Sequence, residues 1–268
     1  MAIRLIAIDM DGTLLNPKCE ITPRVQQAIQ TAHKKGVAVV LATGRPFIGI
    51  ERYLKELELN REGQYCITNN GALVQTTING KCLLEVLLTF DDYLYFERLS
   101  RLLDIHFQAF SKIEMFTSNK NISKFTIREA WMTGIPLSYC AVNDMNSNLT
   151  FPKLMMIGSS ERLDSVVSSL PQVAVERFNI MKSAPCYLEI LNKQANKGLS
   201  LCFLAKRMGF IREEVMAIGD QENDLSMLEY AGISVAMGNS IKKVKKVAQI
   251  VTKSNQEDGV ARVIEDFL

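Results

Sequence analysis

The chain has 268 residues, 47% of them hydrophobic and 22% charged, a balance that excludes disordered, fibrous and membrane-embedded classes and predicts one large domain or two modest ones. Its formal net charge of +2 leaves no global field of the kind that marks a dedicated nucleic-acid or membrane-surface binder. A small, locally recognised ligand is expected instead.

The first segment, Ile3 to Ile8, is a short β-rich apolar run, the pattern of a strand buried on both faces of a parallel sheet. Asp9 and Asp11 interrupt it where a signal peptide would stay hydrophobic. No apolar run approaches the roughly 20 residues of a membrane span, so a cytoplasmic protein is expected. Thr22-Pro23 supplies an N-cap and a first-turn proline for a helix that Gly36 stops, and Val37 to Ala42 follows as a second buried strand. Strand, helix, strand is a βαβ unit with a right-handed crossover. After Gln64 to Thr68, the runs Ala72 to Thr77 and Lys81 to Leu87 flank Asn79-Gly80, a hairpin signal.

From about Phe90 to Leu191 the texture changes to helices and short strands, with a concentration of aromatics read as the core of an inserted α+β domain. The C-terminal third then alternates again: a helix over 197–209, strand 215–218, helix 222–231, strand 234–237, a helix near 241–248, strand 250–252 and a last helix. The predicted fold is α/β, a doubly wound, Rossmann-like parallel-sheet core over 1–85 and 194–268, with the α+β insertion over 86–193.

Several chemistries are struck out by inventory. Two histidines and six cysteines without C-x-x-C spacing make a His- or Cys-built zinc site and a Ser-His-Asp triad poor readings, and buried free thiols are expected. Neither G-x-G-x-x-G nor a P-loop occurs. The run Gly232 to Ala236 reads as a strand start, and Lys242, Lys243, Lys245 and Lys246 as a solvated helix face.

What remains is polar residues at predicted strand ends. Asp9-Met10-Asp11-Gly12-Thr13 ends the first strand, where alternation lets both carboxylates face one site. Alone it reads equally as an acidic strand end capped by a glycine turn. Thr43-Gly44-Arg45 ends the second strand and suits an oxyanion. Asn196-Lys197-Gly198 opens a helix, and Gly219-Asp220-Gln221-Glu222-Asn223-Asp224 ends a later strand, with Asp224 one helical turn beyond Asp220. Hard oxygen ligands beside a fixed lysine are the chemistry of Mg²⁺ with a phosphate dianion.

The set D-x-D-G-T, T-G-R, N-K-G and G-D-x-x-N-D, in this order and with a large insertion between the second and third, resembles the haloacid dehalogenase superfamily. The stretch Ile67-Thr68-Asn69-Asn70-Gly71-Ala72 and the length of the insertion resemble its Cof-like phosphatases with a C2-type cap, among them bacterial sugar phosphatases.

The resemblance implies a phosphomonoesterase in which Asp9 is the nucleophile and Asp11 the general acid and base. Met10, Thr43, Gly44, Lys197 and Asn223 would hold the phosphoryl oxygens. The Asp9 carboxylate, the Asp11 main-chain carbonyl and Asp220 would bind Mg²⁺, with Asp224 behind them. The implied substrates are small phosphorylated sugars, with no nucleic-acid or membrane partner, and the insertion would act as a lid. A sugar phosphomutase of the same superfamily is the nearest rival, and a non-enzymatic phospho-receiver domain a more distant one. Oligomeric state is not fixed, a homodimer remaining open.

Overall fold

The computed structural model describes residues 2–268. In chain order it begins with β1 (Leu5–Ile8), α1 (Pro23–Lys34), β2 (Ala38–Ala42), α2 (Glu51–Glu56), β3 (Tyr65–Thr68), β4 (Leu73–Thr76) and β5 (Cys82–Glu85). There follow α3 (Phe90–Leu102), β6 (His106–Phe110), β7 (Met115–Thr117), α4 (Lys124–Thr133), β8 (Leu137–Tyr139) and β9 (Lys153–Ile157). Next come α5 (Ser160–Ser168), α6 (Gln172–Arg177), β10 (Phe178–Ala184) and β11 (Tyr187–Asn192). The chain closes with α7 (Lys197–Arg207), β12 (Val215–Gly219), α8 (Leu225–Tyr230), β13 (Ile233–Ala236), α9 (Lys242–Val247), β14 (Ile250–Val251) and α10 (Gly259–Phe267).

Two compact units result. The first comprises the chain up to Gly44, Glu51–Leu84 and Asn196–Leu268. Its eight-stranded sheet has the order β14-β13-β12-β1-β2-β3-β4-β5, parallel from β14 to β3 and antiparallel between β3 and β4. Both faces of β1 are buried: Leu5 and Ala7 join a core with Leu201 and Leu204 of α7 and Met227 of α8, while Ile6 and Ile8 are equally enclosed on the other face. That is why these strands read as continuous apolar runs. β1 is flanked on one side by β2, the next strand in the chain, and on the other by β12 from the C-terminal third, so the strand order runs outward from β1 in opposite directions. The carboxyl ends of these three strands therefore border a topological switch point, the crevice where open α/β sheets bind ligands.

The second unit comprises Glu85–Ala195 and the short run Arg45–Ile50, which includes a 3₁₀ turn at Phe47–Gly49. Its sheet has the order β10-β11-β9-β6-β7-β8, antiparallel except for β7 with β8. One face, with Phe107, Leu154, Met156, Leu188 and Ile190, packs on Tyr93 and Phe96 of α3 and Leu163 of α5. The aromatic core expected from the sequence is there, although Trp131 on α4 is 83% exposed and belongs to no core cluster. On β9 and β11, Lys153 and Glu189 form a buried ion pair at 3.2 Å.

Among the described residues no helix is long and apolar enough to cross a membrane, and all six cysteines are free. The lysine-rich run forms α9, with Lys242 exposed and Lys243 paired to Glu222 on the surface.

Candidate active site

Beyond β1 the Asp9 amide still donates to the Ile218 carbonyl of β12 at 3.0 Å, so Asp9 extends the central strand by one residue. The chain then folds back: Leu14 N–H donates to Asp9 O at 3.1 Å and Leu15 N–H to Met10 O at 2.9 Å. Gly12 allows this reversal. Its φ is +88°, and a Cβ there would fall 2.4 Å from Asp220 Oδ2, so the position excludes a side chain on both conformational and steric grounds. Asp9 and Met10 are buried, whereas the Asp11 carboxylate is exposed.

Lys197 is the first residue of α7. A cation there opposes the helix dipole, so the placement needs compensation. Asn196 caps the helix by accepting from Leu199 N–H at 2.8 Å, which anchors the start of the turn. The fully buried Lys197 Nζ then donates to Asp9 Oδ1 at 2.6 Å and to Asp224 Oδ1 at 2.7 Å. Asp224 Oδ2 accepts from the backbone N–H groups of Asp220 and Gln221 at 2.8 and 2.9 Å. The loop after β12 is thus wound around the Asp224 carboxylate. Asp220 accepts from Thr13 Oγ1 at 2.9 Å and Gln221 Nε2 at 3.3 Å.

Ligand oxygens of Asp9, Asp220 and Asp224 lie within 4.8 Å of one another, all three residues buried. Burial, then the Asp224 carboxylate, hold the Asp9 carboxyl well above the usual carboxylate range, against the opposing pull of Lys197. Burial followed by the same Asp224 charge pushes Asp220 up to about 6. Burial works against the Lys197 charge, but Asp224 and Asp9 outweigh it and hold the ammonium above its ordinary range. Three buried carboxylates and one ammonium form an excess of negative charge with only hard oxygen donors, the setting that suits a small divalent cation. Asp9 and Asp220 fit as direct holders. Both oxygens of Asp224 are engaged by Lys197 and the loop backbone, so Asp224 acts as their support.

A second group of residues lies along the same edge. Thr43 N–H donates to Ile67 O at 2.9 Å, carrying the β2–β3 ladder one step further. Asn70 N–H donates to Thr43 O at 2.9 Å, and Asn223 Nδ2 donates to Asn70 Oδ1 at 2.9 Å. Thr43, Gly44 and Asn223 are therefore joined through a residue that the site reading from sequence omits. Thr13 and Gln221 were likewise missed. Thr13 acts through a hydrogen bond that crosses the fold, whereas Gln221 acts locally, on the adjacent Asp220.

The chain belongs to the haloacid dehalogenase-like hydrolase family, whose pattern matches residues 6–264, and within it to the phosphatases. A Streptococcus pyogenes protein that carries a provisional phosphatase name is 42% identical over 100% of this chain and 99% of its own length. The 5-amino-6-(5-phospho-D-ribitylamino)uracil phosphatase YcsE of Bacillus subtilis is 31% identical over 99% of this chain and 96% of its own. Among solved structures, a haloacid dehalogenase-like hydrolase from Bacteroides thetaiotaomicron superposes with a TM-score of 0.88 at 32% identity, covering 99% of this chain and 100% of that one.

The electrostatics predict a pH dependence. The folded state holds the Asp220 proton more tightly than an unfolded chain does, about 6 against 3.8. Stability is therefore lost as pH rises through that interval and regained on acidification, by at most about 3 kcal/mol from this group. In EDTA, the urea midpoint is expected to be higher at pH 5.0 than at pH 7.5, and added Mg²⁺ to raise it at pH 7.5 more than at pH 5.0. A midpoint that is the same at both pH values and insensitive to Mg²⁺ would show that the acidic cluster is electrostatically relaxed.

Gly12→Ala gives a further expectation. A Cβ in left-handed backbone and against Asp220 should destabilise the fold by roughly 1–3 kcal/mol, and displacement of Asp220 should weaken Mg²⁺-dependent stabilisation. Wild-type response of the melting temperature to Mg²⁺ would mean that Asp220 yields without consequence.

Proposed function

We propose that this protein is a Mg²⁺-dependent phosphomonoesterase acting on small phosphorylated sugars or related metabolites through an aspartyl phosphate on Asp9. The observation that carries this reading is the buried Asp9–Lys197–Asp224 chain beside Asp220 at the ends of β1 and β12. A carboxylate in that position is oriented by an ammonium and surrounded by further carboxylates that call for a cation.

In the proposed reaction the Asp9 carboxylate attacks phosphorus, forming an Asp9 O–P bond as the ester P–O bond breaks. Asp11, exposed at the turn, donates a proton to the departing alkoxide and afterwards removes one from the water that releases inorganic phosphate. Lys197, itself fully buried, balances the phosphoryl charge. Thr43, Asn223 and the backbone N–H groups of Met10 and Gly44 donate to the phosphoryl oxygens, preorganised where charge grows. Asp9 and Asp220, with the Asp11 carbonyl, would hold Mg²⁺, which when bound supplies electrostatic neutralisation of the phosphate dianion.

Two resemblances support a sugar-like leaving group. Asp9 to Gly12, Tyr65 to Gln75 and Gly219 to Tyr230 resemble the bacterial sugar phosphatase YidA, and YcsE is named for a substrate phosphorylated on a ribityl chain. We assign discrimination among leaving groups to the inserted unit, acting as a lid that excludes water and bulky phosphoesters.

The test is a phosphate-release screen of the purified protein with Mg²⁺ against sugar phosphates, phosphoribityl compounds and phosphopeptides. Release from several sugar phosphates, reversible loss in EDTA and very poor release from phosphopeptides are expected. Isomerised sugar phosphate without phosphate release would replace the reading with a phosphomutase, and absence of both reactions would remove it.

A further inference from the structure

β3 ends at Thr68, and the next three residues share an unusual backbone: Asn69, Asn70 and Gly71 have φ of +48°, +54° and +91°. Left-handed conformation disfavours residues with a Cβ, by roughly 1–2 kcal/mol in general and less for asparagine. Two consecutive buried asparagines in this conformation are a local strain that the surroundings must hold in place.

The surroundings are the edges of the site. Asn70 is 1% exposed. Its N–H is bonded to the Thr43 carbonyl and its Oδ1 accepts from Asn223 Nδ2, each at 2.9 Å. Its carboxamide lies against Gly44, where a Cβ would stand 3.0 Å from Asn70 Nδ2. Gly71 backs onto the residue before Lys197, so closely that a Cβ would fall 2.2 Å from Asn196 O, and its carbonyl accepts from Ser200 Oγ at 2.7 Å. One strained turn thus braces the end of β2, the loop after β12 and the start of α7.

From this geometry we infer that Asn70 is a positioning residue, which fixes the carboxamide of Asn223 so that its other N–H points in a single direction toward the transferring phosphoryl group. The inference rests on the phosphatase reading above. Rotation about the last bond of an asparagine is soft, and Asn223 is only partly buried. Left alone, its amide would sample both senses and reorient during the reaction. Tied to Asn70, one N–H is occupied and the amide plane is set. A donor that needs no reorganisation as charge develops is worth more to the transition state than one that must be recruited. The left-handed backbone is what brings a side chain of the β3–β4 turn across Gly44 to meet the loop after β12.

The test is a kinetic cycle on full-length protein, with thermal unfolding as the control. Asn70→Gly removes the carboxamide but suits the backbone, so its melting temperature should stay near wild type. Asn70→Ala removes the same group and strains the backbone, so it should melt lower. Both are expected to lose roughly tenfold in kcat, the worth of one hydrogen bond, and to agree with each other within about twofold. Asn223→Ala should show a similar loss, and Asn70→Gly/Asn223→Ala no more than Asn223→Ala alone.

Wild-type kcat in Asn70→Gly overturns the inference, as does a double variant whose loss is the product of the single losses. So does a kcat that follows melting temperature, normal in Asn70→Gly and low only in Asn70→Ala. If wild-type protein releases no phosphate from any monoester, the phosphatase reading fails and this inference falls with it. Active wild type with an indifferent Asn70→Gly refutes this inference alone.

Discussion

Asp9→Asn protein is expected to lose roughly a thousandfold or more in kcat toward a sugar phosphate while remaining folded and no less stable than wild type. The two halves of this result have separate causes. An amide is a poor nucleophile and cannot form the aspartyl phosphate, so turnover should collapse. The fold should not suffer, because the site disfavours the ionised Asp9: burial and the Asp224 and Asp220 carboxylates all raise its carboxyl, and only Lys197 lowers it. A neutral isostere removes one of three mutually repelling groups and keeps an oxygen for the Lys197 ammonium. Phosphate release and urea unfolding in EDTA at pH 7.5 check both halves. A folded variant with turnover within tenfold of wild type would remove Asp9 from the nucleophile's role.

Why Asp9, Lys197, Asp220 and Asp224 are visible in the sequence is a matter of local pattern. Asp9, Asp220 and Lys197 stand at boundaries that short-range physics marks, the end of an apolar run at Ile8 or Ile218 or a capping asparagine at Asn196, and Asp224 follows Asp220 by one turn. In a parallel sheet those boundaries lie on one edge, so linear motifs translate into spatial proximity with no knowledge of the loops. The partners that make the site specific are a different matter. Asn223 and Asn70 are 153 positions apart, and Thr13 and Asp220 are 207 apart. Asn69-Asn70-Gly71 reads locally as a turn, and nothing in its neighbours says that the second asparagine reaches across Gly44.

The run Arg45–Ile50 illustrates the same limit. It follows β2 directly and continues the Thr43-Gly44-Arg45 motif, yet it packs with the inserted unit, where Gly49 lies beside the Thr133 backbone. Helix α2 was unmarked for another reason: six residues with only Tyr53 and Leu54 buried give no 3.6-residue periodicity to detect. Trp131 shows that an aromatic-rich stretch fixes the existence of a core and not its membership.

Lys197→Met should have the largest combined effect on stability and turnover. The substitution keeps an unbranched apolar stem of similar bulk and removes only the ammonium, which bonds Asp9 and Asp224 from a position with no exposure. It leaves three buried carboxylates within 4.8 Å of one another and deprives two of them of their shared cation. Breaking a buried pair from one side typically costs about 3–5 kcal/mol, and that range is expected at pH 7.5 in EDTA.

The deficit should shrink on acidification. Asp9 and Asp220 bind protons more tightly in the folded state than in the unfolded chain. Without Lys197, which lowers both, their affinities rise further, so protonation between about pH 7 and pH 5 relieves the repulsion in the variant more than in wild type. Mg²⁺ should recover part of the stability at pH 7.5 by replacing lost positive charge. It should not recover kcat if Lys197 holds the phosphoryl oxygens as proposed, because the cation does not replace the ammonium there. Urea curves at pH 7.5 and 5.5, with and without Mg²⁺, together with phosphate release under the same conditions, separate these effects. A deficit that is equal at both pH values would mean that Lys197 supports the site by packing rather than by charge, and full recovery of turnover with Mg²⁺ would remove it from the phosphate cradle.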